Sequence, residues 1–177
     1  MNQTTSACFR RSDRASAQLM TDAVDVTLTI NGERRALRIA PFETLLTSLR
    51  DRLGLTAAKR GCNQGVCGAC SVLIDGRPAR ACLSLAADCV DQDITTVEGL
   101  STPLALSPLQ AAMVRAGAIQ CGFCTPGMLI SLTALLQECP QPTRDDIRTA
   151  ISGNICRCTG YQKIVEAVVD MIAASAA

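Results

Sequence analysis

The sequence predicts an α+β protein in which a small unit of strands and one helix precedes an all-α unit. Two strong hairpin signals, Asn31-Gly32 and Asp75-Gly76, lie between strand-forming runs in the first half of the chain. From Ser101 onward the apolar residues recur with a helical period, and the order helix, cysteine pair with threonine, helix occurs twice. We therefore divide the 177 residues into a flexible tail at 1–21, a mixed unit at 22–100 and a helical unit at 101–177.

The first predicted element is a hairpin over residues 24–39. Apolar residues alternate with polar ones from Val24 to Ile30, up to the Asn31-Gly32 turn. A two-residue turn pairs Ile30 with Glu33, and this register brings apolar positions opposite each other, namely Val26 with Leu37 and Val24 with Ile39. One face of the hairpin is therefore predicted to be apolar.

The remaining elements of the mixed unit are predicted from the spacing of apolar and turn-forming residues along the chain. After Pro41 the leucines Leu45, Leu49 and Leu53 recur every four residues and indicate a helix, which Gly54 suits as its C-terminal residue. A glycine-dense loop follows at 61–70. A second hairpin is predicted over 71–83 and a last short strand over 94–97.

Four helices are predicted in the second half. Ser107 is a suitable N-cap with Pro108 at the first helical position, and Gly117 ends that helix. The others begin near Thr125-Pro126, Thr143-Arg144 and Thr159-Gly160. The two cysteine loops separate the helices of each pair, so we expect a pseudo-twofold four-helix bundle with both loops at one end around a single cluster.

Eight of the eleven cysteines form two quartets with the spacing of iron–sulfur ligands. The first quartet reads C-x4-C-x2-C-x11-C, and the second reads C-x2-C, 31 residues, then C-x-C. Four thiolates suit a [2Fe–2S] core, and the first spacing is that of plant-type ferredoxins. The predicted metal ligands are Cys62, Cys67, Cys70 and Cys82 for one cluster and Cys121, Cys124, Cys156 and Cys158 for the other.

Zinc is the alternative metal for both quartets. Zinc ribbons favour repeated C-x2-C pairs, which the first quartet lacks, whereas the C-x-C of the second quartet leaves zinc open there. Disulfides are disfavoured because the cysteine count is odd and we expect a cytoplasmic chain without a secretory signal. Cys89 is predicted to be a buried residue that serves only to pack the core, and no chemistry is assigned to Cys8 or Cys139.

Composition excludes several other functions. The chain has no histidine, which rules out Rieske ligation, Zn–His sites and histidine-based catalytic pairs. A net charge of +1 without a long basic block gives no support for nucleic-acid binding. No acid–base or nucleophilic constellation is visible, so we assign no catalytic residue to this chain.

Three motifs together resemble a known family. They are KRGCNQGVCGACSV at 59–72, QCGFCTPGM at 120–128 and GNICRCTGY at 153–161. They resemble the small iron–sulfur subunit of molybdenum hydroxylases, the xanthine dehydrogenase/oxidase-like enzymes, over about residues 24–172. Asn63, Gln64 and Val66 depart from the glycine or acidic residues that the family often has in the first loop.

The resemblance implies a β-grasp ferredoxin-like domain followed by an all-α four-helix-bundle [2Fe–2S] domain. It also implies a large partner subunit with molybdopterin dinucleotide and a medium subunit with FAD, usually in a dimer of heterotrimers. Single electrons would pass from molybdenum through the helical-domain cluster and the ferredoxin-domain cluster to FAD. In the family pattern Gln120 hydrogen-bonds the pterin cofactor, and Cys158 is the ligand at which electrons arrive.

Two alternatives are set against this function. A free-standing two-cluster ferredoxin would need a charged docking face, whereas this chain is 48% hydrophobic and nearly neutral, which suits a permanent interface. A zinc-stapled interaction module is the second alternative. It would be colourless, whereas an iron–sulfur protein is brown.

Overall fold

The computed structural model describes residues 22–102 and 104–176, so that the predicted tail and Cys8 lie outside the described residues. Two separate hydrophobic cores are present in the described part. One lies beneath the sheet and contains residues from Leu28 to Ile94. The other lies between the helices and contains buried residues from Leu109 to Val168. The α+β class is confirmed.

A five-stranded mixed sheet forms the first half. Its strands are β1 (Val24–Ile30), β2 (Glu33–Ile39), β3 (Ser71–Ile74), β4 (Arg77–Arg80) and β5 (Asp93–Thr95). Their order is β2-β1-β5-β3-β4, with β5 parallel to β1 and antiparallel to β3. The last strand in sequence therefore lies at the centre of the sheet.

The predicted register of the first hairpin is confirmed. Ile30 pairs with Glu33, and the apolar positions face each other as expected, Val26 with Leu37 and Val24 with Ile39. Asn31 and Gly32 form the turn with φ of 53° and 79°, the left-handed conformation that an Asn-Gly turn requires.

The helix predicted after Pro41 is present but irregular. Helix α1 (Leu45–Thr47) is a single turn that continues as a π-helical segment, Ser48–Arg52. The amide of Leu53 donates to the carbonyl of Ser48, five residues earlier. The segment ends before Gly54, whose φ of 69° is the predicted C-terminal conformation.

Four helices form the second half, as predicted. They are α2 (Pro108–Arg115), α3 (Thr125–Glu138), α4 (Arg144–Ile151) and α5 (Gln162–Ala176). Ser107 and Thr143 form complete capping boxes with Gln110 and Asp146 at the starts of α2 and α4. Helix α2 packs on α5 and α3 packs on α4, while α3 also packs against β3 and β4.

Within residues 22–102 and 104–176, no helix combines the length and the apolar character that crossing a bilayer requires.

Candidate metal centres

The first cysteine loop needs glycine for two different reasons. Gly65 and Gly68 have φ of 80° and 71°, so that the chain turns back on itself at both positions. Gly61 has no positive φ, but a Cβ there would lie 2.9 Å from the Sγ of Cys67. The absence of a side chain at Gly61 therefore leaves room for a thiol, whereas Gly65 and Gly68 shape the backbone.

The thiols of the first quartet lie in pairs. Cys67 lies beside Cys62, to which its amide donates, and Cys82 lies beside Cys70. The Sγ of Cys62 accepts the backbone N–H of Cys67 at 3.3 Å and that of Gln64 at 3.5 Å. These bonds lower the pKa of the Cys62 thiol to about 6, whereas burial raises the pKa of Cys70 to about 11.

The second quartet is also paired. The thiol of Cys158 donates to the Sγ of Cys121 at 3.5 Å, and Cys124 lies within hydrogen-bonding reach of Cys156. Burial raises the pKa of Cys124 to about 12. Burial also acts to raise the pKa of Cys156, but hydrogen bonds from the hydroxyl and the amide of Thr159 lower it to about 7. The two cysteine loops of the bundle therefore meet, as predicted.

This donor set fits [2Fe–2S] clusters. In each quartet the thiols are arranged in two pairs, which matches a core with two thiolates on each of two irons. Backbone amides point at sulfur in both loops, a contact that tunes iron–sulfur potentials. Among the described residues, no group of three or more potential ligand side chains is arranged around the position of a single metal ion.

One cavity connects the two quartets. It has a volume of about 230 Å³ and is lined by two thiols of the first quartet and all four of the second, together with Phe123 and Ile155. The sequence predicted a cluster in each half of the chain. It gave no sign that the two sets of thiols open onto the same cavity.

Tyr161 has a role in the second loop that the sequence reading did not assign. Its hydroxyl accepts the amide of Cys156 at 2.8 Å and donates to the carbonyl of Asn154 at 3.1 Å, which fixes the loop on both sides of the cysteine. Tyr161 has a φ of 67°, a left-handed backbone conformation that is uncommon for residues other than glycine. The position of this tyrosine, the only one in the chain, just after C-x-C-T-G was the available signal.

The remaining candidate residues are placed as follows. Gln120 is exposed beside Cys121, and the Cys121 and Cys158 thiols are also exposed. Cys89 is buried and donates to the carbonyl of Leu85 at 3.3 Å, in line with its predicted packing role. Cys139 is half-buried at the end of α3.

Two family descriptions match the chain. Residues 24–116 match a "2Fe-2S iron-sulfur cluster binding domain", and residues 96–169 match a "[2Fe-2S] binding domain". The nicotine 6-hydroxylase small subunit of Paenarthrobacter nicotinovorans is 52% identical over 149 residues, covering 84% of this chain and 90% of that protein. The nicotinate dehydrogenase small FeS subunit of Eubacterium barkeri is 46% identical, covering 82% of this chain and 92% of that protein. The chain belongs to the family of small iron–sulfur subunits of molybdenum hydroxylases.

Solved structures agree with this assignment. The iron–sulfur subunit is similar to quinoline 2-oxidoreductase from Pseudomonas putida 86, with a TM-score of 0.84, 46% identity, and coverage of 88% of this chain and 97% of that one. It is also similar to aldehyde oxidoreductase from Desulfovibrio gigas, with a TM-score of 0.81 and 43% identity, covering 86% of this chain but 17% of that one. The iron–sulfur subunit is thus an electron-transfer component with two [2Fe–2S] binding domains, and these relatives do not favour a free-standing ferredoxin.

Proposed function

We propose that this iron–sulfur subunit takes single electrons from a molybdenum–pterin centre on a large partner subunit and passes them through two [2Fe–2S] clusters to FAD on a medium subunit. The observation that carries the proposal is the cavity of about 230 Å³ onto which thiols of both quartets open. The proposed ligands are Cys121, Cys124, Cys156 and Cys158 for the cluster reduced first, and Cys62, Cys67, Cys70 and Cys82 for the cluster reduced second.

Exposure of the second quartet supports electron arrival at Cys158. Cys121 and Cys158 are both exposed, whereas in the other pair Cys124 is buried and Cys156 is half-buried. Phe123 and Ile155 leave 47% and 54% of their surface exposed around this opening. Exposed apolar groups around a redox centre suit a permanent protein interface, here with the large subunit.

Gln120 is proposed to hydrogen-bond the pterin cofactor of that subunit. Gln120 is exposed and directly precedes Cys121, which is itself exposed. A carboxamide offers both donors and acceptors, which suits a pterin edge.

A second apolar surface supports electron exit from the first quartet. Val66 and Leu83 expose 61% and 64% of their surface beside the first loop, and Leu83 covers Gly65 of that loop. We propose that the flavin subunit docks here. This surface consists of Val66 in the first loop and Leu83, whereas the exposed Phe123 and Ile155 near Cys158 belong to the loops of the second quartet, so that one chain can contact two partners.

The domain limits 22–100 and 101–177 are part of the proposal. The two cores follow each other in sequence, since the first ends at Ile94, but Val97 and Leu100, which precede the proposed limit, pack against the second core. The cytoplasmic location and the dimer of heterotrimers stay predictions from the sequence.

The first test is composition of the complex purified natively through a tag on this chain. We expect molybdenum and iron near 1:4 because each [2Fe–2S] core brings two irons, together with FAD and two larger chains. Iron on a solitary 18.6 kDa chain, once dissociation has been excluded, would favour the free ferredoxin. A colourless chain containing zinc would favour the zinc module.

A second test addresses Gln120. The Gln120→Ala complex should keep all its iron but transfer electrons from molybdenum to the second quartet more slowly. Gln137→Ala is the matched control, since Gln137 is an exposed glutamine at the far end of α3. Loss of iron in the Gln120 variant, or unchanged turnover, would contradict the proposed role.

A further inference from the structure

The two cysteine loops are joined directly by the buried side chain of Asn154. This residue is 2% exposed and lies two positions before Cys156. Its Nδ2 donates to the carbonyl of Gly68 at 3.0 Å and to the Oγ of Ser71 at 3.3 Å, and its Oδ1 accepts the hydroxyl of Ser131 at 2.8 Å. Both amide hydrogens thus cross from the helical half to the sheet half.

The residues that Asn154 reaches belong to the first cysteine loop itself. Gly68 lies between Cys67 and Cys70, and Ser71 follows Cys70 directly. Asn154 therefore connects the second ligand loop directly to the first, and its bond with Ser131 also holds it on α3.

Neighbouring contacts join the same two parts of the chain. We call this contact of residues 153–155 with the first cysteine loop and β4 the seam. The amide of Ile155 donates to the carbonyl of Cys67 at 2.9 Å. The guanidinium of Arg80 donates to the Oγ of Ser71 at 2.6 Å and to the carbonyl of Gly153 at 2.7 Å, which ties β4 to the second loop from the outside. The three residues before Cys156 are therefore each bonded to the sheet half.

Two glycines allow this close approach. A Cβ at Gly68 would lie 2.7 Å from the Nδ2 of Asn154, and a Cβ at Gly127 of α3 would lie 2.8 Å from the same atom. The carboxamide fills the space between these two backbones, and neither position has room for a side chain.

We propose that Asn154, supported by Arg80, is a positioning residue that sets the separation of the two clusters. The inference rests on the proposed function, because it assumes that the two quartets hold clusters which exchange electrons. Electron transfer slows steeply as the distance between two centres grows. A buried carboxamide with both donors committed fixes that distance more firmly than apolar packing does, because leaving a buried carbonyl without its donor is costly.

The test compares Asn154→Ala with wild type in the purified holoenzyme. The readouts are iron content and the magnetic interaction between the two reduced clusters, measured from the splitting and the power saturation of their EPR signals at low temperature. We expect full iron and two recognisable cluster signals, with the interaction between them weakened or lost. Asn31→Ala is the matched control, because the half-buried Asn31 carboxamide makes a comparable pair of bonds with Thr96, away from the seam.

An unchanged interaction in Asn154→Ala, with full iron, would overturn the inference, and so would an equal loss in the Asn31 control. If the Asn154→Ala complex does not assemble, Arg80→Ala provides the same test. It removes the two hydrogen bonds that the half-buried Arg80 side chain makes with Ser71 and Gly153 at the seam. A weaker interaction in Arg80→Ala supports the inference, and an unchanged one overturns it. Absence of both cluster signals from the wild-type complex would instead overturn the proposed function.

Discussion

Replacing Gly127 by alanine sets helix propensity against packing at the seam. Gly127 lies in the first turn of α3 without a positive φ, so the backbone accepts alanine, and propensity alone favours the change by about 1 kcal/mol. The added methyl would lie 2.8 Å from the Nδ2 of Asn154 and 3.2 Å from the carbonyl carbon of Gly68, and closer still to the Gly68 oxygen. Backbone atoms cannot rotate away from it, so the seam itself must open.

The expected outcome is a net loss of about 2 kcal/mol in the free energy of opening the seam. Overpacking costs about 1–3 kcal/mol, and each bond of Asn154 that the methyl displaces costs about 0.5–1.5 kcal/mol more, which exceeds the gain in propensity. Since 1.4 kcal/mol is tenfold, exchange of the Ile155 amide with deuterium should become about 30-fold faster in the variant.

Hydrogen exchange of the segment 153–157 in the intact complex measures this effect. Ala134→Gly is the control, because it changes helix propensity within α3 by about 1 kcal/mol without placing an atom at the seam. Unchanged or slower exchange at Ile155 in the Gly127→Ala protein would refute the reasoning, since propensity would then outweigh the contact.

Three further predictions concern other parts of the chain. Gln64→Glu should lower the reduction potential of the first cluster because a nearby negative charge disfavours the electron-rich state; a potentiometric titration that gives a higher potential would contradict this. Tyr161→Phe should cost about 1 kcal/mol, because the amide of Cys156 loses its acceptor, and should lower the unfolding temperature. Arg52 hydrogen-bonds the carboxylate of Glu43 and holds its pKa below the usual 4.5, so that this stabilisation is present above pH 4.5 and is lost as the pH falls through the lowered pKa. The difference in unfolding temperature between wild type and Glu43→Gln should therefore vanish on acidification, and a difference that persists at low pH would exclude the ion pair as its source.

Local chemistry explains why much of the fold could be predicted. The Asn31-Gly32 turn fixes the register of the first hairpin within two residues, and Ser107-Pro108 marks the start of α2 through a cap that acts within one helical turn. The cysteine spacings work in the same way, since a compact inorganic core must be wrapped by nearby thiols.

Features that depend on distant residues were missed. A leucine every four positions does not separate an α-helix from the π-helical turn at Ser48–Arg52, because both place Leu45 and Leu49 on one face. The bond from Asn154 to Gly68 joins residues 86 positions apart, and no spacing in the sequence indicates it. No spacing in the sequence indicates the cavity shared by the two quartets either, because it forms only when the two halves pack together.

The central position of β5 has a consequence for how the chain folds. Strands β1 and β3 both need β5 as a neighbour, yet Thr29 pairs with Asp93 of β5, which lies 64 positions later in the chain. Until β5 has paired with β1 and β3, the two hairpins are separate ribbons. Each then has one unpaired edge strand that can form non-native hydrogen bonds with other strands. All four thiols of the first quartet lie before β5 in the chain, so they are synthesised while the sheet is still incomplete. Because binding energy of a metal centre is also folding energy, cluster insertion at that stage would hold the β3–β4 ribbon and its loop in place until the final strand arrives.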